Sequence, residues 1–314
     1  MPDRAIGRVG VVGTGVIGAS WAAYFLARGL DVVATDPAPG AEERLYAYVA
    51  AAWPALTELG LSPGAHPSRI RFAHDLESCV ADVDFVQENG PEREDVKRET
   101  YRRLDDATSP DVILSSSSSG YRPSLFQGVC RRPERVLVGH PFNPPHLIPL
   151  VEVVGGESTS PDAIAIAMRF YEGIGKKPIN IRKELVGHVA NRLQAALWRE
   201  AYHLVDIGAV TVAEVDGAIS HGPGLRWALM GPCLLSHLSG GAGGMRHLLD
   251  HLGPLTEAMW ADLGSPRLDE ALKAKLIAGV DDEIADLDFG AMMQERDRLL
   301  VELLTAKGRT MNLP

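Results

Sequence analysis

Two residues with complementary chemistry stand close together in the stretch "GHPFNPPHLIPLVEVVGG", residues 139–156: His140 among prolines, and Glu152 inside the otherwise apolar "LVEVV". A histidine, which titrates near ~6.5, suits the removal of a hydroxyl proton at neutral pH. A carboxylate on its other ring nitrogen would fix the tautomer and stabilise the imidazolium that forms. An acid within a buried strand needs such a partner, because desolvating it unpaired costs several kcal/mol. The other reading places Glu152 on a wet strand face and His140 in a loop that satisfies it. Ser119, Asn143, Glu92 and Asn191 fall in neighbouring loops or at a helix start. Ser119 and Asn191 could bond a substrate oxygen, although both residue types also serve turns and caps.

These residues need a scaffold, and the order of apolar runs supplies one. Short runs at 8–13, 31–36, 84–88, 111–116, 135–140, 150–154 and 177–182 alternate with longer amphipathic segments up to about residue 182. That is the pattern of a doubly wound, mostly parallel sheet with crossover helices. The candidates lie at the C-terminal ends of successive strands, where such sheets place their ligands. "VGVVGTGVIGAS" sets Gly13, Gly15 and Gly18 in G-x-G-x-x-G spacing between a strand and a helix. Such a turn lets backbone approach a pyrophosphate and aims helix N-terminal amides at it. Asp36, at the end of the next run, is placed to accept ribose hydroxyls and to repel a 2′-phosphate, so NAD is preferred over NADP.

Beyond about 185 the texture becomes helical: "VANRLQAALWREAYHLVD", "TVAEVDGAIS", "DEALKAKLIAGVDDEIADL" and "GAMMQERDRLLVELLTA" carry helix-period patterns with no strand between them. We therefore divide the 314 residues into a Rossmann-type α/β domain, 1–185, and an all-helical domain, 186–314. The glycine-rich "SGGAGGM" at 239–245 reads as a flexible connection, less readily as a lid. A net charge of −10 disfavours nucleic acid and anionic membranes. Three scattered cysteines, no signal-like N-terminus and no long apolar run lead us to expect a cytoplasmic protein with a small-molecule substrate. His247 and His251 share a helix face, but without acidic or cysteine ligands around them no metal site is expected.

Taken together, the glycine loop, Asp36, "PEREDVK" with Glu92 and Lys97, Ser119, "HPFNP", "LVEVV" and "GHVANRL" resemble the 3-hydroxyacyl-CoA dehydrogenase superfamily over nearly the whole chain. The resemblance implies His140 as catalytic base, Glu152 as its orienting partner, and Ser119 and Asn191 as substrate hydrogen-bonders. It puts Glu92 and Lys97 near the cofactor, with Val16, Ile17, Ser117 and Asn143 added to the cofactor set, and it implies a homodimer built by the helical domain. "SSSG" (117–120), "GPGLRWALMGP" (222–232) and "HLSGGAGGM" are similar to the branch that contains lambda-crystallin (L-gulonate 3-dehydrogenase) and L-carnitine dehydrogenase, whose members act on free 3-hydroxy acids. Arg226 could clamp a free carboxylate bidentately, or form an interdomain or dimer salt bridge. Trp227 reads first as core, and otherwise as a cation-π face for a quaternary ammonium. The expected activity is NAD-dependent oxidation of a small 3-hydroxy carboxylate such as L-carnitine or L-gulonate. The rivals are a short-chain 3-hydroxyacyl-CoA dehydrogenase and a non-catalytic, crystallin-like protein.

Overall fold

A computed structural model describes residues 6–311. Eight strands, β1 (Arg8–Val12), β2 (Asp31–Thr35), β3 (Ile70–Phe72), β4 (Phe85–Glu88), β5 (Ile113–Ser116), β6 (Val136–Pro141), β7 (Leu150–Gly155) and β8 (Lys177–Ile181), form one sheet. Their spatial order is β3-β2-β1-β4-β5-β6-β7-β8. Six of the seven pairings are parallel; only β6–β7 is antiparallel, so β7 and β8 run against the other six strands. The proline-rich link of residues 142–149 explains the reversal: a parallel return needs a crossover of about a dozen residues or more, usually with a helix. β3 was not among the expected strands, because its three residues, "IRF", lie at the sheet edge with no fully buried position to mark them.

Helices α1 (Val16–Ala27), α2 (Ala41–Glu58), α3 (Leu76–Val80), α4 (Glu94–Ala107), α5 (Ser124–Gln127) and α6 (Pro161–Gly173) cover both faces of the sheet. Side chains that alternate along each strand feed two cores. Val9, Val11, Leu137, Val151 and Val153 pack with α1, α2 and α6. Val12, Val136, Val138 and Val154 pack with α3, α4 and α5. Every residue of α1 from Gly18 to Ala27 is buried, which is why its sequence is apolar on most faces and shows no polar stripe.

Two compact units divide between Arg192 and Leu193, within the first turn of α7 (Ala190–Asp206). The second contains α8 (Val212–Ser220), α9 (Pro223–Trp227), α10 (Pro232–Ser239), α11 (Gly244–Asp262), α12 (Glu270–Glu283) and α13 (Phe289–Gly308), with no strand among its described residues. Side chains that accept backbone amides start three of them: Thr211 in a reciprocal capping box with Glu214, Asp269 and Asp288. The glycine-rich 239–245 segment is a tight corner that connects α10 to α11. A single 3-10 turn, Gly241–Gly243, leads straight into α11, with Gly241 and Gly244 at positive φ.

Candidate active site

The antiparallel register of β6 and β7 sets His140 directly opposite Glu152. The two side chains meet, with His140 Nδ1 2.8 Å from Glu152 Oε2. His140 is 6% exposed and Glu152 is fully buried, so the wet-face reading of Glu152 does not hold. Burial by itself would push the Glu152 carboxyl up. The bond from His140 and the amides of Ala190 and Val189, each donating to Oε1 at 2.9 Å, outweigh burial and bring it below the usual glutamate range. An ionised Glu152 only accepts, so His140 Nδ1 carries the proton and Nε2 keeps the lone pair. The loop that follows His140 is tied down from below. His146 Nδ1 meets Ser20 Oγ at 2.8 Å, and the buried Lys176 Nζ donates to the carbonyls of Pro145 and Ile148. Asn143 is exposed in that loop.

"SSSSS" looks like low complexity, yet each of its serines has a separate task. Ser115 Oγ meets Tyr171 OH at 2.9 Å, and Ser116 Oγ donates to Glu88 Oε2 at 2.7 Å. Ser117 Oγ accepts from Gln87 Nε2 at 2.8 Å and Trp21 Nε1 at 3.2 Å, and donates to Asn89 Oδ1 at 2.7 Å. Through these three bonds Ser117 braces the loop. Glu92 clamps the end of the run: Ser118 Oγ donates to Oε2 at 2.8 Å, and Ser119 N and Oγ donate to Oε1 at 2.6 and 3.2 Å. Asn191 Nδ2 lies 3.4 Å from Ser119 O, so Ser119 and Asn191 come together at the exposed edge of the site.

On the nucleotide side, Gly13 has φ +86°, and a Cβ there would meet the Asn89 carbonyl carbon and oxygen at 2.9 Å. A Cβ on Gly18 would lie 1.9 Å from Gly13 O, so only glycine permits this close packing of turn and helix. A Cβ on Gly15, by contrast, points into open space. The first turn of α1 has neither a side-chain cap nor an acidic residue, so its amides are available to an anion. Asp36 Oδ2 accepts from Thr14 N at 2.7 Å and Oδ1 from Ala38 N at 2.8 Å. That uses only part of a carboxylate's roughly four acceptor positions and leaves room for ribose hydroxyls. Val16, 60% exposed, lies at this helix start, whereas Ile17 turns into the core and offers only its backbone. The residues present fit a dinucleotide.

Lys97 lies in the interior, beside the end of β4. Its ammonium is buried and bonds Glu88 Oε2 at 3.0 Å, with Ser116 Oγ at 3.4 Å. Glu88 Oε1 in turn accepts from Gly90 N at 2.6 Å. Lys97 therefore supports the β4 end from beneath. Glu88, Asn89, Ser118 and His188 escaped the sequence reading, since their roles depend on partners distant in the chain. The "ENG" turn after an apolar run was the only local signal for the first two.

In the second unit, Arg226 and Trp227 end the short α9. Trp227 is 42% exposed and so is not core. Arg226 is exposed, and its guanidinium forms no ion pair among the described residues. His247 and His251 stack 6.1 Å apart, and no group of three or more possible metal ligands occurs among the described residues. No helix among the described residues is long and apolar enough to cross a membrane.

Comparison with known proteins supplies the family. A model of the 3-hydroxyacyl-CoA dehydrogenase NAD binding domain matches residues 8–185, and one of the 3-hydroxyacyl-CoA dehydrogenase C-terminal domain matches 187–273. An L-carnitine dehydrogenase of Streptomyces coelicolor is 53% identical over 302 residues, 96% of this chain and 95% of that one. Another, of Bacillus cereus, is 48% identical over 304 residues, 97% and 93%. Among solved structures, 5-formyl-3-hydroxy-2-methylpyridine 4-carboxylic acid 5-dehydrogenase, described as an NAD+ dependent dismutase, superposes with a TM-score of 0.84 at 29% identity, covering 98% of this chain and all of that one. The chain belongs to the 3-hydroxyacyl-CoA dehydrogenase family and is an NAD-dependent oxidoreductase.

Proposed function

We propose that the protein oxidises the 3-hydroxyl of L-carnitine to the 3-oxo acid. The observation that carries this reading is the buried His140–Glu152 pair at 2.8 Å, in a chain about half identical to L-carnitine dehydrogenases. His140 Nε2 takes the hydroxyl proton, and Glu152 balances the imidazolium charge through Nδ1–H. Ser119 and Asn191 orient the substrate oxygen, while Glu92, the buried Lys97 and the part-buried Ser117 keep the serine loop and the β4 end in register. Gly13, Gly15 and Gly18, the backbone at Val16 and Ile17, Asp36 and the exposed Asn143 hold NAD, which when bound accepts the hydride. For the substrate's free carboxylate and trimethylammonium the chain's candidates are Arg226, a permanently charged fork, and Trp227, an exposed aromatic face.

A panel of L-carnitine, L-gulonate, 3-hydroxybutyrate and 3-hydroxybutyryl-CoA, each with NAD and NADP, tests this reading by NADH or NADPH formation. We expect L-carnitine with NAD to give the highest kcat/KM. Arg226→Ala should raise KM for carnitine by about 10- to 100-fold, the loss of a charge-assisted bond. Asp36→Asn should weaken NAD by about tenfold and narrow the bias against NADP. Faster turnover of the CoA thioester would replace the substrate assignment with the acyl-CoA one, and absence of turnover on all four would favour a non-catalytic protein.

The reading extends to a cytoplasmic homodimer assembled through the helical unit. Large apolar side chains stay exposed along α11, among them Leu249, Leu255, Met259 and Trp260, which is more than a lone helical unit ordinarily leaves to water. All three cysteines are free, as a reducing compartment would keep them. Native mass measured on protein from the cytosolic fraction should equal two chains. A single-chain mass, or absence from that fraction, overturns the corresponding part.

A further inference from the structure

His188 precedes the two amides that hold Glu152, and three observations single it out. It is fully buried although a histidine, it has φ +51°, the one non-glycine residue at positive φ among those described, and its Nδ1 has no hydrogen-bond partner. A side chain kept in the left-handed region, where glycine would sit without cost, is kept for what it touches. His188 Nε2 is 3.0 Å from Ser118 O, so Nε2 carries the proton and donates to that carbonyl. Its ring centroid is 5.3 Å from that of His140. Ser118 and Ser119 are gripped on their other side by Glu92. The imidazole thus joins the serine loop to the turn that feeds Val189 N and Ala190 N to Glu152.

We propose that His188 is a positioning residue for the reaction: a neutral imidazole whose Nε2–H locks the Ser118–Ser119 loop to the Glu152 turn, so that Ser119 and His140 keep one spacing. It does not exchange a proton with substrate. The ionisable groups facing it are His140, Glu152 and Glu92, and burial holds its own proton affinity below the ordinary histidine value, in keeping with the neutral form. The inference rests on the reading of His140 as base.

Two variants test it alongside His140→Gln. His188→Gly relieves the backbone and removes the donor, whereas His188→Gln returns an N–H of similar reach. With L-carnitine and NAD, His188→Gly should lower kcat/KM by about 10- to 100-fold, the scale of a misplacement of about an ångström. NAD affinity should change by less than about twofold, and His188→Gln should recover most of the loss. The acid-side fall of kcat/KM should keep its place in both variants. Independently of any substrate, amide hydrogen exchange at 117–121 should quicken in His188→Gly and slow again in His188→Gln. Unchanged activity and exchange in His188→Gly, equal impairment in both variants, or a parallel fall in NAD affinity would each overturn the proposal. If His140→Gln stays active while the exchange pattern appears, the base assignment fails and the clamp stands; if His140→Gln is inactive and His188→Gly behaves as the parent, the clamp alone fails.

Discussion

Replacing His140 with glutamine lowers kcat by about 10²- to 10⁴-fold, the range that a positioned general base contributes. Glutamine is close in size and can still hydrogen-bond Glu152, so the buried carboxylate keeps a partner and the fold is retained. What it lacks is a nitrogen able to take a proton and carry the charge beside Glu152 Oε2, 2.8 Å away in the parent protein. His140 lies at the end of β6, whereas the glycine loop and Asp36 follow β1 and β2. NAD affinity, read by fluorescence titration, should therefore stay within about twofold, since none of the charge-assisted bonds to the dinucleotide is altered. Initial rates of NADH formation decide the matter, and a variant with parental turnover would remove His140 from the chemistry.

Glu152→Gln should cost about as much, for a different reason. The Glu152 carboxylate serves both sides at once, receiving His140 Nδ1–H on one oxygen and two backbone amides on the other. A glutamine whose oxygen stays with the Val189 and Ala190 amides must turn its NH2 toward His140 Nδ1. The imidazole proton then moves to Nε2, and the base faces substrate with a donor where an acceptor is required. An exchange of this kind in a serine protease costs about 10⁴-fold. We expect a loss of about 10²- to 10⁴-fold in kcat, and retention of a tenth of the activity or more would refute the orienting role.

The same variant has a stability signature with a definite sign. The Glu152 carboxyl is held below its unfolded value. Its stabilising contribution is therefore complete above the ordinary glutamate range near ~4.3 and is lost as pH falls through the lower folded value. In Glu152→Gln that contribution is absent, so the drop in Tm from neutral to acid pH should be shallower than in the parent. An equal or steeper drop would show that the carboxylate gains nothing from its partners.

Much of this protein was legible one residue at a time. The glycine loop reads directly because close backbone packing excludes any Cβ at Gly13 and Gly18, and the carboxylate at Asp36 falls at the end of the next apolar run for the same local reasons. Strand and helix alternation reads because burial imposes a period on the chain. His140 and Glu152 were also visible as a pair, since a carboxylate in an apolar strand calls for a partner and the sequence offers a near one.

Tertiary structure decided what depends on partners far along the chain. The short proline-rich link turned β7 against β6 and so brought residue 152 opposite residue 140. Five consecutive serines are chemically alike, and only the sheet assigns Ser117 inward to Gln87, Trp21 and Asn89 while leaving Ser119 at the edge with Glu92. Only the tertiary structure pairs the Lys97 ammonium with Glu88, nine residues before it, in the interior. His188 carries no local mark at all, because a positive φ in a histidine and a bond to a carbonyl 70 residues away arise from packing, not from propensity. Residue types limit which bonds can form, and the fold selects among them by deciding which groups lose water together.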